Sequence, residues 1–127
     1  MIAVVYSGSK YADWRLADKG RVITGFRTSG INPYLQDERY IAQLLNKNTN
    51  LINNAEKIKR IYFFGAGSSS PERKNKIKAV FEKFFINAKV KVEHDVIASA
   101  ISTFGDEKES LGLLEAVQML PSIRERK

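Results

Sequence analysis

The 127-residue chain contains no cysteine. That excludes disulfides and thiolate metal sites, and it fits a reducing compartment, so a cytoplasmic location is expected. Histidine is nearly absent as well. His94 stands alone, with no second histidine or cysteine to share an ion, and no set of metal ligands is legible. No apolar run approaches the roughly 20 residues that cross a bilayer, so no membrane partner is expected. The opening Met1-Ile-Ala-Val-Val-Tyr has no basic segment before its apolar stretch. It reads as a strand and not as a signal peptide.

What is present describes a packed domain. Hydrophobic residues make up 43% of the chain, enough for a core, and the length suits one domain. Lys and Arg number 21 against 14 Asp and Glu, a net charge of +7. The cations are spread over Lys57, Lys59 and Arg60, then Arg73, Lys74, Lys76 and Lys78, then Lys89 and Lys91. Many alternate with apolar residues, which is the pattern of solvated faces, so no nucleic-acid partner is expected.

Periodicity gives the element order. Ile2 to Tyr6 is a buried strand, Ser7-Gly8-Ser9 a turn, Asp13 to Leu16 a second strand and Asp18-Lys19-Gly20 a second turn. Val22, Thr24 and Phe26 alternate with Ile23, Gly25 and Arg27 as a third strand, so the three form an antiparallel meander. Asp37 caps a helix carrying Tyr40, Ile41, Leu44 and Leu45. The five asparagines between Asn46 and Asn54 suggest a loop or a frayed helix end. Arg60 to Phe64 fits a central parallel strand. Ser70 and Pro71 then cap and start a helix with a stripe of Ile77, Val80, Phe81 and Phe84. Val90 and Val92 mark another strand, and Asp95 caps a helix with Ile97, Ala100, Ile101 and Phe104. Leu111, Leu113, Leu114, Val117 and Leu120 suggest a last helix. The fold class is therefore α/β, a mixed five-stranded sheet in the order β-β-β-α-β-α-β-α with helices packed on it.

Three loops fall where such folds place ligands, beyond the carboxyl ends of the strands. They hold Asn32, the Gly65-Ala-Gly-Ser-Ser-Ser stretch and Asp95. An amide, a carboxylate and backbone-exposing small residues suit a polyhydroxylated ligand, because each hydroxyl wants a donor and an acceptor. Asp95 has the chemistry of a general base, and equally that of a helix cap. Gly65-Ala-Gly begins like a dinucleotide fingerprint, but Ser70 stands where the third glycine would be.

Four stretches occur together in order: Ser7-Gly-Ser-Lys-Tyr-Ala-Asp-Trp, Thr28-Ser-Gly-Ile-Asn-Pro-Tyr, Tyr62-Phe-Phe-Gly-Ala-Gly-Ser-Ser-Ser-Pro-Glu and Val92-Glu-His-Asp-Val-Ile-Ala-Ser-Ala. As a set they resemble the first lobe of bacterial N-acetylglucosamine kinases, BadF/BadG-type ATPases of the actin-like superfamily. The resemblance covers residues 1–107 and implies a ribonuclease-H-like lobe. It implies ATP and Mg²⁺ as cofactors and an amino sugar such as N-acetylglucosamine as partner. Asn32, Gly67 and Ser68 would lie near the sugar, and Asp95 would be the catalytic base. Ser7, Gly8, Ser9 and Lys10 would be what remains of a phosphate loop.

The chain departs from that pattern at the phosphate loop. The family loop reads Asp-Ser-Gly-Ser-Thr-Lys-Thr-Asp-Trp, whereas here Tyr6 replaces the leading acid, and Lys10, Tyr11 and Ala12 replace Thr-Lys-Thr. A phenol is a poor ligand for a hard cation that takes carboxylate oxygens. The family also continues into a second lobe, where this chain has only residues 108–127. These are expected to form a C-terminal helix packing on the same lobe. The expectation is a kinase-like domain, catalytically incomplete, binding neither ATP nor Mg²⁺ itself. The alternative is a non-catalytic sugar-binding or protein-interaction domain, with an exposed interlobe face that would favour a homo-oligomer.

Overall fold

The computed structural model describes residues 1–8, 10–65 and 70–93. Apolar alternation resolves into three antiparallel strands, β1 (Ile2–Ser7), β2 (Tyr11–Asp18) and β3 (Arg21–Ser29). Lys19 and Gly20 join the last two with φ of 52° and 80°. Two consecutive residues at positive φ make a hairpin turn whose twist matches that of the strands it joins. The strands run longer than the apolar residues alone suggest, because edge pairing carries polar ends such as Asp18 and Ser29 into the ladder.

Two parallel strands, β4 (Arg60–Gly65) and β5 (Lys89–Glu93), complete a five-stranded sheet in the order β3-β2-β1-β4-β5. Three antiparallel strands followed by two parallel ones is the ribonuclease-H-like arrangement that the resemblance implies. The connections are helical: α1 (Glu38–Asn46) and α2 (Thr49–Asn54) before β4, and α3 (Pro71–Phe84) before β5. Asp37 and Ser70 cap α1 and α3 as expected, each accepting from a backbone N–H three residues on.

The asparagine-rich stretch differs from expectation. Its middle is a short helix and not a loop. Asn48 caps it by accepting from the Leu51 N–H, and Leu51 is fully buried. Asn46 and Asn54 donate back to the carbonyls of Ala42 and Asn50, so local side-chain bonds support helical backbone here. The helices expected after Asp95 and around Leu111–Leu120 lie outside the described residues.

The three described helices contribute to one core on one face of the sheet. Trp14, Leu16, Phe63 and Val92 meet Ile41, Leu45, Leu51, Ile77, Phe81 and Phe85 there. Trp14 stacks on Phe26 and Phe81 with ring centres 5.8 and 5.9 Å away. Its indole N–H donates to Thr28 Oγ1 at 2.9 Å. Phe85 was not part of the expected helical stripe. It follows the end of α3 with φ −99° and ψ 80°, and that break in the helix turns its ring inward. The opposite face carries a smaller cluster of Val4, Tyr62 and Phe64, with Ile2, Tyr6 and Val22 against it.

Candidate functional site

Strand direction assembles the site. β2 runs against β1 and β3, while β1, β4 and β5 are parallel, so β1, β3, β4 and β5 all end on one edge of the sheet. That edge holds Ser7, Ser29, Gly65 and Glu93. Ser7 and Gly65 sit side by side in the ladder. A Cβ built on Gly65 would meet the Ser7 Cβ at 3.3 Å and the Phe63 ring at 3.0 Å, so a larger residue here would need its neighbours to give by a few tenths of an ångström.

Ser7 itself faces inward. It is 3% exposed, and its hydroxyl accepts from the Ile31 N–H at 2.7 Å and contacts the Ile31 carbonyl oxygen, as donor, at 2.7 Å. The end of β1 is thereby stitched to the loop after β3. Gly8 closes the hairpin by donating to Tyr11 O at 2.8 Å, and Lys10 is exposed, its carbonyl accepting from the Gly30 N–H. Gly30 and Ile31, just before Asn32, are thus bound to the first hairpin at Lys10 and Ser7 respectively.

Asn32 is half-buried and anchors its own turn. Its Oδ1 accepts from the Tyr34 N–H at 2.9 Å, and its carbonyl accepts from the N–H groups of Leu35 and Gln36. The backbone donor determines which end of the amide faces the turn, because only the oxygen can accept. Among the described residues the Nδ2 amino group takes no part in that turn, and it is a donor. The structure therefore brings Ser7, Gly8, Lys10 and Asn32 to one edge, together with the start of α3 at Ser70. Ser9, Gly67, Ser68 and Asp95 lie outside the described residues.

The described positions around the first turn carry the following side chains. Tyr6 packs against the Val4, Tyr62 and Phe64 cluster. Ala12 is fully buried and has no hydroxyl to offer. Tyr11 is exposed, with the Arg27 guanidinium 5.5 Å from its ring centre. Asp13, opposite Tyr6 in the ladder, is a carboxylate at this end of the hairpin, and it is buried and bonded to Arg27 Nε at 2.7 Å.

Sequence reasoning did not find Gln36, Lys76, Arg73 or Tyr34, all of which act on the Asn32 loop. Gln36 clamps it from within, its Nε2 donating to Gly30 O at 2.9 Å and its Oε1 accepting from the Asn32 N–H at 3.0 Å. Lys76 donates to Pro33 O at 3.0 Å and Gln36 O at 3.1 Å. Arg73 lies 4.2 Å over the Tyr34 ring. The Asn-Pro-Tyr sequence carries a turn signal that points to the Asn32–Tyr34 bond. Nothing in a run of basic residues distinguishes Lys76 from its neighbours.

No protein-family model matches this chain, and no curated protein matches it. Among solved structures, a provisionally assigned N-acetylglucosamine kinase from Porphyromonas gingivalis matches with a TM-score of 0.68 and 30% identity over 80% of this chain. The chain spans 38% of that protein's length. A resolvase from Fowlpox virus, solved with Holliday junction DNA, covers the whole of both chains at 16% identity and a TM-score of 0.44, too remote to inform fold or function. The chain thus carries a sugar-kinase-like α/β fold. Among the described residues no helix is long and apolar enough to cross a membrane.

Proposed function

We propose that this chain is an amino-sugar-binding domain of the N-acetylglucosamine kinase type, related to the BadF/BadG ATPases, that does not turn over ATP by itself. One observation carries this: within a fold shared with the Porphyromonas protein, the end of β3 delivers Asn32, amide donor available, to the edge where β1 and β4 end. The family roles of Gly67, Ser68 and Asp95 belong to the same proposal. The phosphate side does not fit a Mg²⁺-bound nucleotide. Tyr6 stands in an apolar cluster, the Ser7 hydroxyl is spent on Ile31, and the Asp13 carboxylate is held by Arg27. Lys10 remains as an exposed cation that meets a phosphate only as a point charge.

Calorimetry with N-acetylglucosamine and with Mg-ATP, each alone, tests the two sides independently. Sugar binding is expected at about millimolar affinity, since an open edge encloses little of a ligand. No heat is expected from Mg-ATP. Phosphorylation of the sugar, abolished by Asp95→Asn, would defeat the proposed loss of activity.

Asn32→Asp is the sharper variant. The carboxylate keeps an oxygen for the Tyr34 N–H, so the turn survives and stability should change by less than about 0.5 kcal/mol. The amino donor is lost, so sugar affinity should fall roughly tenfold or more. Unchanged affinity would remove Asn32 from the site.

A further inference from the structure

The outer surface of the helix layer carries an apolar strip that the core does not use. Phe84 lies on the apolar stripe of α3, but the helix breaks at Phe85, whose ring takes the inward place and leaves Phe84 half-buried. Phe84 is then a wall shared by two grooves. One, of about 580 Å³, runs between α1 and α3 past Ala42 and Val80. The other, of about 350 Å³, runs between the end of α2 and the end of α3, where Ile52 is 50% and Ile86 64% exposed. A single exposed isoleucine is ordinary, but two beside a shared aromatic wall make a continuous patch. The rim of the strip carries both signs of charge. Glu38, Arg39 and Lys83 flank the first groove, and Glu56 and Lys57 flank the second. The rim is thus nearly balanced in a chain whose net charge is +7. A partner of one sign would meet repulsion along with attraction. A copy of the same strip, turned end for end, would instead set Glu56 against Lys83, and two-fold symmetry makes that pairing twice.

We propose that this strip is the contact surface for a second copy of the chain. The isologous dimer packs Ile52, Phe84 and Ile86 of the two copies together and pairs Glu56 of each with Lys83 of the other. The strip ends beside the loops that lead into β4 and β5, at the sheet edge opposite the Asn32 loop, so the pairing does not depend on the amino-sugar function. Ile52, Ile86, Glu56 and Lys83 are all exposed, so their substitution leaves the core intact.

Sedimentation of the whole chain over a micromolar to millimolar series should show a reversible monomer–dimer equilibrium. Ile86→Asp puts a carboxylate into the strip and should weaken the dimer about tenfold or more. Ile23→Asp, at an exposed site on β3, should behave as the parent. Glu56→Lys alone and Lys83→Glu alone should each weaken the dimer about tenfold, because each sets like charges against one another at both contacts. An equimolar mixture of those two variants should recover the dimer, since both contacts then join opposite charges. Circular dichroism of each variant checks that the fold is kept. A parent chain that stays monomeric throughout overturns the proposal. If that monomer floats with vesicles of phosphatidylcholine and phosphatidylglycerol, the strip belongs to a lipid surface instead. A dimer indifferent to Ile86→Asp lies on another face and also overturns it. A mixture no more dimeric than its components overturns the end-for-end pairing.

Discussion

Trp14→Ala is expected to lower the unfolding free energy by about 3–5 kcal/mol, a large part of the total for a domain of this size. Trp14 is fully buried at the centre of the meander. Its ring stacks nearly parallel to Phe26 on one strand and Phe81 on α3, with interplanar angles of 10° and 15°, and meets Phe85 at a tilt. Truncation therefore opens a cavity bounded by both the sheet and the helix layer, which cannot collapse without moving one against the other. Aromatic contacts add about 0.5–1.5 kcal/mol per pair beyond the buried area. Urea denaturation measures the loss, and the melting temperature should fall by about 15 °C or more. Thr28→Val isolates the polar part. It removes the acceptor of the indole N–H, leaves the rings in place and should cost about 1 kcal/mol. A loss of under about 1 kcal/mol in Trp14→Ala would mean that the stack is not what joins the layers.

Ser7→Ala should cost about 2–3 kcal/mol, although it removes a single oxygen. The Ile31 N–H that the hydroxyl now satisfies belongs to a buried residue, 1% exposed, so the donor would be left unsatisfied. The Ile31 amide should become faster to exchange, and the Asn32 turn beside it should loosen. A phosphate-contacting serine would behave otherwise. Its loss would leave stability within about 0.5 kcal/mol and would change only the affinity for nucleotide. Denaturation and a Mg-ATP titration on the same variant therefore separate the two roles, and intact stability with altered nucleotide binding would refute the stitch.

That contrast shows where sequence reasoning reached and where it stopped. The meander, the parallel strands and two helix caps were legible because each depends on neighbours a few residues away. Asp37 and Ser70 sit in the cap position before an apolar stripe, and Val22 to Phe26 alternate over a strand. The role of Ser7 was not legible. Ser-Gly-Ser reads as a turn, and the Ser7 partner Ile31 lies 24 residues further on. The α2 segment was obscured because asparagine favours turns when isolated, whereas here Asn48 places it at a cap and Leu51 finds the core. Strand order suggested that the Asn32 loop reaches the edge where β4 ends, and among the described residues β1, β3 and β4 do end on that edge. The residues that hold Asn32 on that edge, Gln36 and Lys76, depend on tertiary distances that periodicity does not encode.

The parallel pairing of β1 with β4 also fixes an order of events. Ile2 lies beside Arg60 and Ser7 beside Gly65, so each residue of the central strand meets its β4 neighbour only after the chain has grown 58 residues past it. The β1–β2–β3 meander is local and closes early, as short-range contacts do. The edge with Asn32 then waits for β4 to dock and for α3 to bring Lys76 across. On a ribosome, a nascent chain that has released only the meander would display strands without a site, and its central strand would stay open to mispairing until β4 emerged.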